Sequence, residues 1–213
     1  GIYNVKLTDQ NDCDAFDEVE VVILDQPEVD LGVDQRICEG EIVTLSVNNP
    51  NGYDVLWSTM ETGNSIEVTS SATISVTMTN GSCFDTDEVI VIVDSKPIAM
   101  IISDDVCFGE EISFDNGQNL LNVSYFWDFG DGTSSALKNP SKNYTFPGDY
   151  SVELEITDLV TGCRSIDDVS VIIHEIPNPN FVVIDDCVGE TVQFENLTPE
   201  SSGLNFLWDF GNG

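Results

Sequence analysis

Apolar and polar residues alternate with a period of two along most of the chain. Ile74, Val76 and Met78 alternate with Ser75, Thr77 and Thr79, and Tyr150, Val152, Leu154 and Ile156 alternate with Ser151, Glu153 and Glu155. Successive side chains of a strand point to opposite faces, so this pattern predicts strands with one face buried and one wet. Helical periodicity is absent. Asn80-Gly81 stands between two such strands and predicts a tight hairpin turn. Turn signals recur about every ten residues, and short alternating strands at that spacing predict an all-β chain of sandwiches.

A longer period lies over the short one. Three segments share a Cys-x-Gly-Glu signature, at Cys38–Glu41, Cys107–Glu110 and Cys187–Glu190, and a tryptophan follows each cysteine after 19, 20 and 21 residues (Trp57, Trp127, Trp208). Pro27, Pro97 and Pro177 close the units at spacings of 70 and 80 residues, the size of a small sandwich. Proline fixes φ and cannot donate to a ladder, so each ends its last strand and starts a short, stiff linker. Gly1–Val5 resembles Gly148–Val152, and Asp12–Val22 resembles Gly162–Val171. The expected organisation is therefore the last strands of one sandwich in 1–27, whole sandwiches in 28–97 and 98–177, and the first strands of another in 178–213, arranged as beads on a rod.

Composition narrows the chemistry. Of 213 residues 41% are hydrophobic, enough for small cores, and no apolar run approaches a membrane span. No basic segment followed by an apolar one opens the chain, so no signal peptide is expected. Thirty-nine acidic residues face six basic ones, a net charge of −33. Phosphate binding needs clustered Lys and Arg, so nucleic acid is excluded as an expected partner and an anionic membrane surface is disfavoured. Such a charge keeps long, crowded chains soluble and apart, and it attracts divalent cations.

The six cysteines fall at equivalent places. Cys38, Cys107 and Cys187 precede the second strand, and Cys13, Cys83 and Cys163 follow a hairpin. One bridge per sandwich is expected, Cys38–Cys83 and Cys107–Cys163, closing loops of 45 and 56 residues. Each would stabilise by roughly 3–4 kcal/mol in the chain-entropy model. Zinc is the alternative, but closely spaced ligand pairs are lacking and His174 is the only histidine. Disulfides imply an oxidising place, at the cell surface or outside. Cys13 and Cys187 stand in the two incomplete units. Either the chain is an excerpt of a longer one, or the half-sandwiches of successive copies complete each other by strand addition, with an inter-chain Cys187–Cys13 bridge.

Residues 98–177 carry Tyr125-Phe126-Trp127-Asp128-Phe129-Gly130-Asp131-Gly132, then Asn139-Pro140, Tyr144 and Pro147-Gly148-Asp149-Tyr150. This resembles the PKD domain, named after the polycystic kidney disease protein. Asn205–Gly213 resembles the opening of another, with Asn212 where Asp is usual, and 1–27 is similar to the tail of a third. Residues 28–97 are more distant, since Leu56-Trp57-Ser58 replaces the Trp-Asp-Phe-Gly-Asp-Gly run and Ile74 stands where Tyr is expected. That unit resembles the bacterial Ig-like repeats that accompany PKD domains in large surface proteins and secreted enzymes. The resemblance implies a β-sandwich with a spacer or adhesive role and carries over no catalytic residue.

The residues of the motif have expected structural roles. Trp57, Trp127 and Trp208 should centre the cores. Gly130 and Gly132 should allow a sharp turn with positive φ, with Asp128 and Asp131 accepting its backbone N–H groups. Tyr150 should join the core and tie its hydroxyl to nearby backbone.

Catalysis is not expected: the lone His174 lies beside a linker, and the cysteines are read as oxidised. No cofactor is required. Calcium is the best chemical candidate, with Asp104, Asp105, Asp128, Asp131, Asp185 and Asp186 as the named ligands, and Asp85, Asp87, Asp167 and Asp168 as further acidic pairs. The alternative for all of these is a solvated acidic face. Tyr53, Tyr125 and Tyr144 are the aromatics to inspect for a surface glycan or protein ligand. Asn80, Asn122, Asn143 and Asn196 open glycosylation sequons. The expected function is a structural or adhesive extracellular segment that spaces and extends a large bacterial surface or secreted protein. Its partners are neighbouring repeats. The alternatives are a carbohydrate- or protein-binding module of a secreted hydrolase, and a filament subunit joined to other copies through its half-sandwiches.

Overall fold

The computed structural model describes residues 1–184, 188–189, 191–199 and 203–211. Among them every regular element is a strand. Strands β1 (Ile2–Thr8) and β2 (Asp14–Glu20) form a hairpin. Then follow β3 (Gln35–Cys38), β4 (Val43–Ser46), β5 (Asp54–Trp57), β6 (Ser65–Val68), β7 (Ala72–Asn80) and β8 (Cys83–Asp94). The next group is β9 (Val106–Cys107), β10 (Ile112–Ser113), β11 (Val123–Asp128), β12 (Ser134–Ser135), β13 (Ser141–Lys142), β14 (Gly148–Asp158) and β15 (Arg164–His174). Strands β16 (Phe181–Ile184) and β17 (Gln193–Asn196) close the series. The chain divides into two compact units, residues 1–99 with 119–124 and 155–166, and residues 100–118 with 125–154 and 167–213.

In the first unit a four-stranded sheet of order β3-β8-β7-β5 faces the pair β4-β6. The alternating residues read from the sequence meet between them: Ile74, Val76 and Met78 of β7 are buried with Val55, Trp57, Val89 and Val91. Trp57 is 1% exposed, and its indole N–H donates to the carbonyl of Gly63 at 2.8 Å, which satisfies the ring's polar edge inside the core. The Asn80-Gly81 turn is a tight hairpin in which Asn80 pairs with Cys83 and Gly81 takes φ +61°.

The later strands form a sheet of order β12-β11-β14-β15-β9 and the pair β10-β13. In the second unit Trp127 is fully buried and packs on Phe114 at 5.6 Å between ring centres; its N–H donates to Leu137 O at 2.9 Å. Both tryptophans thus hold the same place by the same hydrogen bond to the loop beyond them.

The first segment of each repeat joins its sheet through side chains. Val29 and Leu31 donate their N–H groups to the carboxylates of Asp85 and Asp87 (2.9 and 2.7 Å). At the equivalent places Ala99 donates to Ser165 Oγ (3.2 Å) and Ile101 to Asp167 (2.9 Å). Buried or edge N–H groups need acceptors, and the last strand supplies them from Asp and Ser side chains at every second residue. The first strands proper then pair in parallel with the last ones, Cys38 opposite Asp94 and Cys107 opposite His174.

The terminal pairs differ. All residues of β1, β2, β16 and β17 are exposed. Trp208, expected to centre a core, is 37% exposed; it touches the rings of Phe181 and Phe194, and no second sheet covers it among the described residues. Tyr150 ties its hydroxyl to backbone as expected, donating to Phe146 O at 3.0 Å, but it does not join the core. It is half-buried and stacks on Tyr144 at 4.0 Å, while Tyr144 is the ring that enters the core.

Candidate functional site

Each Cys-x-Gly-Glu segment is a closed turn. The Glu41 carboxylate accepts the N–H of Cys38 at 2.9 Å, the Glu41 N–H donates to the Cys38 carbonyl at 2.9 Å, and Gly40 between them takes φ +81°. Cys107 repeats this with Glu110 at 3.0 Å for both bonds and Gly109 at φ +91°. Glycine is needed there because an L side chain is strained at such φ. Gly189 takes φ +97°, while Cys187, Glu190 and the candidate ligands Asp185 and Asp186 lie outside the described residues.

The hairpin cysteines sit on turns organised by one aspartate. Asp158 donates its N–H to the carbonyl of Cys163 (2.8 Å), and its carboxylate accepts the N–H groups of Val160 (2.7 Å) and Thr161 (2.9 Å). Asp9 does the same for Cys13: its N–H reaches the Cys13 carbonyl at 2.9 Å, and its carboxylate accepts from Asn11 and Cys13. These backbone donors hold both carboxyls below the usual range.

The structure bonds Cys38 to Cys163, with Cα atoms 5.6 Å apart and 125 residues between them. This replaces the expected Cys38–Cys83 and Cys107–Cys163 bridges. Among the described residues Cys13, Cys83 and Cys107 are free thiols. Strand geometry gives the reason. Cys38 stands opposite Asp94 at one end of β8, whereas Cys83 opens that strand eleven residues earlier. At ~3.3 Å per residue this is about 36 Å, against a Cα separation of about 4–7 Å in a disulfide. Cys107, opposite His174, is equally remote from Cys163 along β15.

Charges gather around the bond. Arg36 grips Asp94 through two guanidinium nitrogens, one at 2.8 Å, and Asp94 first and Asp158 further off hold its pKa above the ordinary value. A cleft of about 480 Å³ beside the bond is lined by Cys38, Glu41, Lys96, Gly162, Arg164 and Ser165.

Of the acidic residues named for calcium, Asp105, Asp128 and Asp131 hold hydrogen-bond donors of the chain. Asp128 accepts the N–H of Gly130 (2.9 Å). Asp131 accepts from Thr133 N and Oγ1 and pairs with Lys142 at 2.7 Å, and that ammonium also lies 5.6 and 5.5 Å from the ring centres of Phe129 and Tyr144. Burial acts against the Asp131 charge, but the bonds from Lys142 and Thr133 prevail and keep its carboxyl below the usual value. Asp105 accepts the N–H of Ile172 (2.8 Å), and Asp104 is exposed. Among the described residues no three His, Cys, Asp or Glu side chains converge on one point.

Of the three aromatics singled out for a ligand, Tyr144 and Tyr53 have hydroxyls with hydrogen-bond partners. Tyr144 is buried, with its hydroxyl donating to Phe129 O at 2.9 Å. Tyr125 is half-buried, and its hydroxyl is enclosed without a protein partner. Tyr53 is half-buried, its hydroxyl accepting from Asn51 (2.9 Å). The sequence marks Glu41 and Glu110 as part of the repeat signature without giving their role, and Asp9, Asp158 and Arg36 were not singled out. The signals were present, an acidic residue third after the cysteine and an aspartate four or five residues before the hairpin cysteine.

Comparison with known proteins agrees with the motif. The PKD domain family matches residues 94–172. A microbial collagenase of Vibrio alginolyticus is 39% identical over 57 residues, 27% of this chain and 7% of its own length. Collagenase ColA of Bacillus cereus is 43% identical over 53 residues, 23% of this chain and 6% of its own. The chain thus spans a small fraction of the curated relatives it matches. Among solved structures, the PKD1 domain of Vibrio anguillarum Epp is 30% identical, covering 38% of this chain and 96% of that one, with a TM-score of 0.32. Titin domains A168–A170 are 12% identical, covering 82% and 75%, with a TM-score of 0.37.

Proposed function

Since residues 94–172 are a PKD domain, we propose that this chain is a non-catalytic extracellular segment that spaces and carries load within a larger surface or secreted protein. One observation supports this above the others: the Cys38–Cys163 bond links consecutive repeats instead of closing either one. A pull applied at the two ends of the chain passes through the sulfur atoms. Residues 39–162, Trp57 and Trp127 among them, lie inside the covalent loop, while Val29 of the first core and Val171 and Ile173 of the second lie outside it on the loaded path. The high negative charge suits the same role, since it keeps neighbouring chains apart. The oxidising surroundings that the bond requires are those outside the cell.

The test is to stretch the chain from both ends before and after reduction. The oxidised chain should never release the residues within the loop. Reductant should add the reach of 125 residues, about 425 Å at ~3.4 Å each. Equal extension in both states would remove the load-bearing reading. Binding to a glycan or protein array would instead favour an adhesive module.

A further inference from the structure

We propose that the Cys38–Cys163 bond is one link of a series in which the cysteine of each Cys-x-Gly-Glu turn bonds the hairpin cysteine of the repeat that follows it. Cys107 is then the forward partner for the next repeat's hairpin cysteine, and Cys83 the hairpin partner for the turn cysteine of the repeat before it. Connectivity of this kind is independent of any load the repeats carry.

Three observations support the series. The first is equivalence of the forward cysteines. Cys38 and Cys107 share the turn geometry down to both bonds with the glutamate, and both end a short strand paired in parallel with the last strand of their repeat. One of the two is bonded to the hairpin of the following repeat, so the other is shaped for the same bond. The second is exclusion within a repeat. Each forward cysteine stands opposite the end of the last strand, and the hairpin cysteine stands at that strand's beginning, so the two are about 36 Å apart.

The third observation concerns what the hairpin of 28–97 touches. The residues opposite the forward cysteines, Asp94 and His174, each stand three residues before the closing proline, and the equivalent position before Pro27 is Leu24. The Asn80-Gly81 turn that precedes Cys83 meets that place. Asn80 donates its side-chain N–H to the carbonyl of Asp25 at 2.8 Å, and Gly81 lies so close to Leu24 that a Cβ on it would stand 2.6 Å from Leu24 Cδ1. Cys83 is therefore beside the position that the preceding repeat's turn cysteine would flank, as Cys163 is beside Cys38. The links also overlap, because Cys107 lies within the loop that Cys38 and Cys163 close.

Each bond forms by thiol–disulfide exchange with an oxidant that itself carries a disulfide. The thiolate of one cysteine attacks that disulfide and releases one thiol; the second cysteine's thiolate then displaces the other. The two protons lost by the cysteines end on the oxidant's two departing sulfurs, which leave as thiols, and the electron pair stays with the reduced oxidant.

The test compares the chain with a longer one in which residues 28–177 are duplicated in place, so that a second copy of Cys83 follows the first copy of Cys107. Both are oxidised with oxidised glutathione, capped with iodoacetamide and digested without reductant, and the monomers are mapped by mass spectrometry. The Cys38–Cys163 peptide should appear in both and reports correct folding. A Cys83–Cys107 peptide should appear only in the duplicated chain, and Cys107→Ser in its first copy should abolish it. Capped Cys83 and Cys107 throughout the duplicated chain would overturn the proposal. So would a Cys83–Cys107 peptide in the single chain, or Cys38–Cys83 or Cys107–Cys163 peptides in either.

Discussion

Gly130 packs against the carbonyl oxygen of Ser151 so closely that a Cβ at its position would collide with that oxygen. It also takes φ +73°, where side chains are strained. Gly132, two residues on, takes φ +83° but has open space where a Cβ would go. Gly132→Ala should cost about 1 kcal/mol, from the backbone alone. Gly130→Ala should cost more, about 2–4 kcal/mol, because contact with backbone cannot be relieved by a rotamer change. Urea unfolding of the two variants checks the order, and equal losses would contradict it.

The hydroxyls of Tyr144 and Tyr125 should behave oppositely. Tyr144→Phe leaves the buried carbonyl of Phe129 without its donor and should cost about 1–2 kcal/mol. Tyr125→Phe removes an enclosed hydroxyl that has no protein partner, so it should be neutral or slightly stabilising. Thermal melting of each against the parent separates them.

Cys38→Ser should leave both tryptophan cores intact. Each sandwich closes its sheets without the bond, so neither should lose the roughly 3–4 kcal/mol expected of a bridge inside it. The tryptophan emission maximum should stay that of the parent, in which Trp57 and Trp127 are buried. A red shift to the unfolded value would show that the bond holds a core together.

Asp131 sets a pH dependence. Its carboxyl titrates lower folded than unfolded, so the charged form stabilises the fold. That contribution is complete above the unfolded value, about 4, and is lost as pH falls through the lower folded value. Near pH 6 Asp131→Asn should therefore be less stable than the parent, and the gap should close as the solution is taken well below pH 4. A gap that widens in acid would contradict the Lys142 pairing.

Sequence alone went far with the sandwiches. Alternation in residues 74–78 and 150–156 located β7 and β14, because a period of two maps directly onto the faces of a strand. Asn80-Gly81 located the hairpin between β7 and β8, and the Trp-Asp-Phe-Gly-Asp-Gly run located the turn held by Asp128 and Asp131. These are local properties, set by φ preferences and by bonds between residues two or three apart. The Asp85 and Asp87 carboxylates were less legible. In the sequence they resemble cation ligands or solvated charge, and only the fold shows them accepting N–H groups from Val29 and Leu31, 56 residues away.

The cysteine pairing lay beyond the sequence. Six cysteines at repeating positions fixed which two classes could meet, a turn cysteine and a hairpin cysteine, but spacing could not say whether the partners share a repeat. That was decided by the parallel register of β3 on β8, which carries Cys38 to the end of the sheet where the chain leaves it, away from Cys83. A disulfide bridges only a few ångströms, so once the register is set the nearest hairpin cysteine belongs to the following repeat.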